Sequence, residues 1–221
     1  MKNNGKKQLI SGLLVMAIFI IWTVLIQIID VQTVGQNGTE IGFSDLNQWF
    51  HKLTGVHMLF YAVTNGLVLV PRLVRMGFVW IGLFQLIKRK KLYKVDTDIL
   101  LLIVYYILEY IFFWIFELIP INYRPIPIEG QIEASYPSST TLLVVSVMLP
   151  FAFQVRRRIK ISVVRYGLYG FTTVFILFMV IGRTVSGVHW ITDIIGAIIL
   201  SIGLYLSYLG AVNLLEKVDE I

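Results

Sequence analysis

The stretch 163–211, "VVRYGLYGFTTVFILFMVIGRTVSGVHWITDIIGAIILSIGLYLSYLGA", holds two long apolar runs joined by a short polar segment. Each run approaches the roughly 20 residues that a helix needs to cross about 30 Å of hydrocarbon. Lipid offers the backbone no hydrogen-bond partners, so each run must bond internally as a helix. Between them, "GRTVSGVHWITD" places Arg183, His189 and Asp193 at the edge of the membrane. Charged groups there are costly and need a partner or a task.

The same alternation runs through the whole chain. Of its 221 residues, 57% are hydrophobic and 14% are charged, where a soluble domain carries about 25% charged residues. Six spans are predicted, at about 9–29, 66–87, 97–119, 139–155, 163–181 and 191–211. They make an all-α integral membrane six-helix bundle, a single transmembrane domain over residues 1–221. The N-terminus "MKNNGKKQLISGLLVMAIFIIWTVLIQII" has the basic start and apolar core of a signal peptide. Its core is long enough to span, and no small-residue cleavage site follows, so it reads as a retained first span. The segment 44–62, "SDLNQWFHKLTGVHMLFYA", mixes polar and aromatic residues and reads as an interfacial helix after that span, capped by Ser44 or Asp45. The chain has no cysteine, which excludes disulfides and thiolate metal sites.

A formal net charge of +6 raises the question of nucleic acid, but the basic residues cluster between apolar runs. They read as topology, and no nucleic-acid partner is expected. Lys2, Lys6 and Lys7 precede span one, "KRKKLYK" (88–94) follows span two, and "RRRIKISVVR" (156–165) follows span four. With both termini cytoplasmic, these clusters and Lys217 put 14 of the 19 Lys and Arg inside, as the positive-inside rule requires. The chain is then a multi-pass cell-membrane protein whose segments 30–65, 120–138 and 182–190 face outside. The basic residues left at that side are Lys52, Arg72, Arg75, Arg124 and Arg183.

Two of the outer segments carry the chemistry. The first is "PINYRPIPIEGQIEASYPSSTT" (120–141). In it Arg124 precedes Pro125, and Ser138, Ser139 and Thr140 lead into span four. A serine at a helix start is first an N-cap. Helix N-termini also present free N–H groups and partial positive charge to anions. The second segment holds His189 and Asp193 four residues apart, within reach of one another on a helical face. A carboxylate on one imidazole nitrogen fixes the tautomer and frees the other nitrogen to attack. Arg124 and Arg183 each offer a planar fork of donors suited to phosphate oxygens. Taken singly, each residue has an ordinary role: an interface anchor for the arginines, a hydrated surface site for the histidine, and the aromatic belt for Trp190. Their convergence on one side of the membrane favours an anion site.

This constellation resembles the type 2 phosphatidic acid phosphatase superfamily, which includes membrane lipid phosphatases, polyprenyl diphosphate phosphatases and, more distantly, vanadium haloperoxidases. The family pattern is Lys-x6-Arg-Pro, then Pro-Ser-Gly-His, then Ser-Arg-x5-His-x3-Asp. Here the third part reads Arg183, five residues, His189, three residues, Asp193, with Gly182 in place of the leading serine. The resemblance runs from about span two to span six. It implies a six-span fold and hydrolysis of a membrane lipid phosphate or diphosphate, a polyprenyl diphosphate being one case, at the extracytoplasmic face. His189 would be the nucleophile, forming a phosphohistidine, and Asp193 would orient it. Arg124, Arg183, Ser138, Ser139 and Thr140 would hold the phosphate. It implies no metal and no other cofactor.

Two positions depart from the pattern. Glu117 stands where the family has lysine, and Thr140 stands where it has the histidine that protonates the leaving group. General acid catalysis is worth about 10²- to 10⁴-fold, so the departures leave three outcomes. Another residue substitutes: Arg72 or Arg75 for the lysine, His51 or His57 for the acid. Or the substrate is a diphosphate, whose leaving phosphate needs less acid. Or the protein binds lipid phosphates without hydrolysing them, as a binding or scaffold protein. Transfer to a sugar or lipid acceptor would use the same intermediate. Glu109, midway along span three, is ionisable at membrane depth and reads as facing the bundle or an ion path. The oligomeric state is not legible.

Overall fold

The computed structural model describes residues 2–128 and 130–216. Lys217, counted above among the cytoplasmic charges, lies outside them. Eight α-helices occur among the described residues: α1 Lys2–Ile28, α2 Ser44–Thr54, α3 Met58–Leu67, α4 Leu69–Arg89, α5 Thr97–Leu118, α6 Ser139–Arg158, α7 Ser162–Val185 and α8 Ile191–Leu215. Six stretches are long and apolar enough to cross a membrane, and α3 with α4 forms one of them, Met58–Arg89. The fold is an all-α six-span bundle, as the apolar runs predict.

The second span differs from its expected range. It starts at Met58 rather than near residue 66, so the expected interfacial segment divides. Its first part is the short helix α2, and its last residues open the span. The join at Val68 keeps right-handed helical backbone (φ −55°, ψ −23°). Pro71 falls in the first turn of α4, where its missing N–H costs little. Neither Ser44 nor Asp45 caps α2. Phe43 takes the N-cap position in left-handed backbone, and Asp30 supplies the acceptors, its carbonyl to Ser44 N (3.0 Å) and its carboxylate to Asp45 N (2.7 Å). Asn47 pins α2 to the start of α8, donating to Thr192 Oγ1 at 3.0 Å. Leu46, Trp49 and Leu53 stay exposed on the opposite side, as an interfacial helix requires.

Helix α8 is the centre of the bundle and packs on α1, α5 and α6. Its seam with α1 is cut by small residues. A Cβ on Gly210 would lie 2.5 Å from Leu9 N, and one on Gly12 would lie 2.5 Å from Ser207 N. In lipid, where apolar burial gives helices little reason to associate, such backbone approach supplies the packing. Tyr136 is wedged between α1, α5 and α8. Its ring stands edge-on to Phe116 at 5.4 Å and shares a 2.7 Å hydrogen bond with Thr23. It thereby anchors the loop 119–138 into the helices at one end of the bundle.

Candidate functional site

That end of the bundle is where the unusual residues meet. The loop after α5 turns back on itself through antiparallel bridges Tyr123↔Ala134 and Ile128↔Gln131. Arg124 N donates to Glu133 O (3.2 Å), and Ser135 N to Asn122 O (2.8 Å). Gly130, in left-handed backbone at φ 75°, makes the turn. The hairpin is tied to the segment before α8, because the Trp190 indole donates to Tyr123 O at 2.8 Å. Trp190 is therefore buried, not part of an interfacial aromatic belt: the folded-back loop covers it. The start of α6 is tied there as well, with Ser138 N donating to Asp193 O at 3.2 Å.

His189 lies before the first turn of α8, not within it, so the helical i,i+4 geometry expected for His189 and Asp193 does not apply. Their closest approach, Nδ1 to Oδ2, is 3.8 Å. Ser135 bridges the gap. Its hydroxyl donates to Asp193 Oδ2, and His189 Nδ1 lies 3.1 Å from both Ser135 Oγ and Ser135 O. With its own proton committed to the carboxylate, Ser135 can only accept from the ring. Nδ1 therefore carries the proton, and Nε2 carries the lone pair. Nε2 is buried and has no hydrogen-bond partner among the described residues. Asp193 is wholly buried, and also accepts from Trp190 N (2.9 Å) and Asn122 Nδ2 (3.3 Å). Burial pushes the His189 pKa down from 6.5 to about 4, Asp193 opposing and Arg183 and Arg124 adding to the effect. The ring is neutral at physiological pH.

Two adjoining cavities open on these groups. The smaller, of about 40 Å³, is lined by His189, Arg124, Ser135, Ser139, Glu117 and Glu133 among others. The larger, of about 290 Å³, is lined by Arg124, Arg183, Ser139, Thr140, Arg72 and Arg75 among others. Arg124 and Ser139 face both. Nε and Nη1 of Arg124, and the same atoms of Arg183, are buried with no hydrogen-bond partner among the described residues. Arg124 Nη2 pairs with Glu133 at 2.9 Å, and the Arg183 guanidinium lies 4.8 Å from the centre of the Tyr61 ring. Buried donors without acceptors are costly, and here Arg124 faces both cavities and Arg183 the larger one. The first turn of α6 adds backbone N–H groups that have no intrahelical partner.

Of the expected site residues, His189, Arg124, Arg183, Ser139 and Thr140 line these cavities. Asp193 stands behind the imidazole. Ser138 lines neither cavity: its hydroxyl donates to Thr141 Oγ1 at 3.1 Å, and although it occupies the N-cap position of α6 it makes no side-chain cap bond. His51 and His57 are absent from both linings. His51 donates to Gly187 O (3.1 Å), tying α2 to the segment before His189, and His57 donates to Thr54 O (2.9 Å) in its own turn. Ser135, Glu133 and Asn122 were missed by sequence reading. Nothing in the local pattern marks them, since only the hairpin brings them to the imidazole. A Cβ at Gly182 would lie 2.9 Å from Thr64 Cγ2, so a side chain there would have to displace the Thr64 methyl between α3 and α7.

Comparison with known proteins gives two positive findings. The PAP2 superfamily matches residues 112–215, which hold every expected site residue. A solved structure described as the first transmembrane PAP2 type phosphatidylglycerolphosphate phosphatase from Bacillus subtilis superposes with a TM-score of 0.65 at 18% identity, covering 94% of this chain and 98% of that one. At that identity the likeness speaks for the fold. No curated protein matches the sequence.

Proposed function

We propose, from the match of residues 112–215 to the PAP2 superfamily, that this chain is a membrane lipid phosphatase acting through a phosphohistidine. The observation that carries the reading is the buried Nε2 of His189, held in the nucleophilic tautomer without a hydrogen-bond partner among the described residues, in a cavity shared with Arg124, whose Nε and Nη1 likewise have none there. The lone pair on Nε2 attacks the phosphorus of a lipid phosphate or diphosphate, and the bond to the leaving oxygen breaks, its electron pair staying on that oxygen, which takes a proton from solvent when it leaves as an alkoxide. Arg124, Arg183 and the first-turn N–H groups at Ser139 and Thr140 take up charge on the transferring phosphoryl oxygens. Water then attacks phosphorus, the P–N bond breaks, and the ring regains its lone pair. Asp193 acts through Ser135, holding the Nδ1 proton in place and stabilising positive charge on the ring.

The basic clusters favour an extracytoplasmic site, with both termini inside. The lipid tail then stays in the bilayer while its headgroup reaches Arg124. Ser138 positions the start of α6 in this scheme, and Ser139 and Thr140 contact the phosphate.

The test is phosphate release from a short-chain lipid diphosphate by purified protein, wild type against His189→Ala. Removal of a covalent nucleophile is expected to lower kcat by about 10⁴-fold or more, and acid-labile phosphate trapped on the wild-type protein should be absent from the variant. Equal rates would eliminate the enzyme reading and leave a lipid-phosphate binding protein.

A further inference from the structure

Some charges on the spans are answered within the protein, as the cost of charge in lipid requires. Glu109 of α5 accepts from Arg75 Nη2 at 2.6 Å, so it is no free acid and no step in an ion path. It holds Arg75 at the wall of the larger phosphate cavity. At the opposite end of the bundle, Asp98 pairs with Arg157 at 3.1 Å and with Arg158 at 2.8 Å, and Glu216 also pairs with Arg157. Arg156 and Arg165 differ. Neither makes an ion pair among the described residues. Yet both line one cavity of about 1020 Å³ between α1, α6, α7 and α8.

This cavity shares no lining residue with the two phosphate cavities. It is also remote from them. Helix α6 starts at Ser139, in the His189 cavity, and reaches this one at Arg156, about 25 Å further along the helix. The lining is ordered along the helices. Arg156 of α6 and Arg165 of α7 stand at the rim, near the helix ends. About one turn deeper lie Phe153 of α6 and Tyr169 of α7, with Tyr205 of α8 beside them in the wall. Nearly one turn beyond Tyr205, Ile202 is exposed and apolar. Charge at the rim, rings with polar tips beneath and apolar surface below follow the order of a phospholipid, from phosphate through ester to hydrocarbon. A soluble anion needs no such apolar floor. Two unpaired guanidiniums facing one space also repel each other, and an anion between them removes that cost.

We propose that Arg156 and Arg165 hold the phosphodiester headgroup of an anionic phospholipid, whose chains lie against α7 and α8. On the orientation proposed above, this lipid belongs to the cytoplasmic leaflet, where anionic headgroups meet basic pockets between spans. The hydroxyls of Tyr169 and Tyr205 face its ester oxygens, and Phe153 covers the start of the chains. Arg157, already paired with Asp98 and Glu216, adds no free charge. No bond is made or broken at this site. It goes beyond the phosphatase reading and stands whether or not His189 is a nucleophile.

The experiment uses full-length protein in neutral detergent and follows the thermal midpoint as lipid is added, since a ligand of the folded state raises it with concentration. The probes are dihexanoyl phosphatidylglycerol, dihexanoyl phosphatidylcholine with the same chains, and inorganic phosphate. Phosphatidylglycerol is expected to bind the wild type about tenfold or more tightly than either of the others. Affinity for it should fall about fivefold in Arg156→Gln or Arg165→Gln, and about 25-fold in the double variant. It should be unchanged in Arg183→Gln, which alters the far cavity instead. Equal affinity for the two lipids, or wild-type affinity in the double variant, overturns the proposal. Loss of binding in Arg183→Gln alone would place the lipid at the other end and overturn it as well. Phosphate binding as tight as phosphatidylglycerol would make this a site for soluble anions. If the wild type binds no lipid but Asp219→Asn/Glu220→Gln does, the acidic end of the chain itself is the occupant, and the lipid proposal fails.

Discussion

At the scale of single residues, the imidazole of His189 is governed by what sits on Nδ1. Ser135 accepts there with its hydroxyl and its carbonyl, and Asp193 holds the hydroxyl. Burial favours the neutral ring, with a pKa of about 4 against 6.5 when exposed. Two pH effects follow. On the phosphatase reading, the acid limb of kcat/KM, which reports the free enzyme, should fall near pH 4 rather than near 6.5. Stability should move as well. Between about 6.5 and about 4 the unfolded chain binds a proton that the folded one refuses, so stability declines as pH falls through that window. Melting temperatures of wild type and His189→Asn, measured across pH 4–7, should converge toward acid. A constant difference would contradict the depressed value. Arg183, His189 and Asp193 stood out as candidates from their spacing, because they lie within eleven positions of one another. Ser135 was not, because its role depends on a hairpin that no short-range signal encodes.

At the scale of elements, the contact between α1 and α8 sets how firmly the site is backed. Gly203 and Gly210 lie one heptad apart on α8, a spacing that keeps both on one seam. Gly210 meets the backbone of Leu9 directly. A methyl group there has nowhere to go, since the obstacle is main chain rather than a movable side-chain tip. Gly210→Ala is expected to destabilise the bundle by about 1–3 kcal/mol through overpacking, read as a lower thermal midpoint in detergent. Gly77, with open space where its Cβ would be, is the matched control, and Gly77→Ala should not lower the midpoint. The six spans were legible because hydrophobic length is a strong signal. The start of the second span was not, since residues 58–65 read equally well as an interfacial helix until α3 is seen against α7.

At the scale of the whole molecule, the basic clusters at one end and the cavities at the other give the protein a direction. The chain has no cysteine, so single cysteines can report that direction. Gln131→Cys, on the exposed turn of the hairpin, should react with a membrane-impermeant maleimide in intact cells. Tyr93→Cys, in the exposed basic segment after α4, should react only after permeabilisation. The reverse pattern would invert the proposed orientation.

The sequence by itself determined the membrane class, the six helices and the candidate site residues, because hydrophobic length and motif spacing are local properties of the chain. It also determined which family pattern the site follows and where it departs from that pattern. Only the tertiary structure decided that Ser135 stands between His189 and Asp193, that Trp190 is buried, that Ser138 turns away from the cavities, and that Glu109 holds Arg75 beside them. These depend on side chains from distant parts of the chain arriving in one small volume. Which of them meet is fixed by how the helices and the hairpin pack, and no local stretch carries that information.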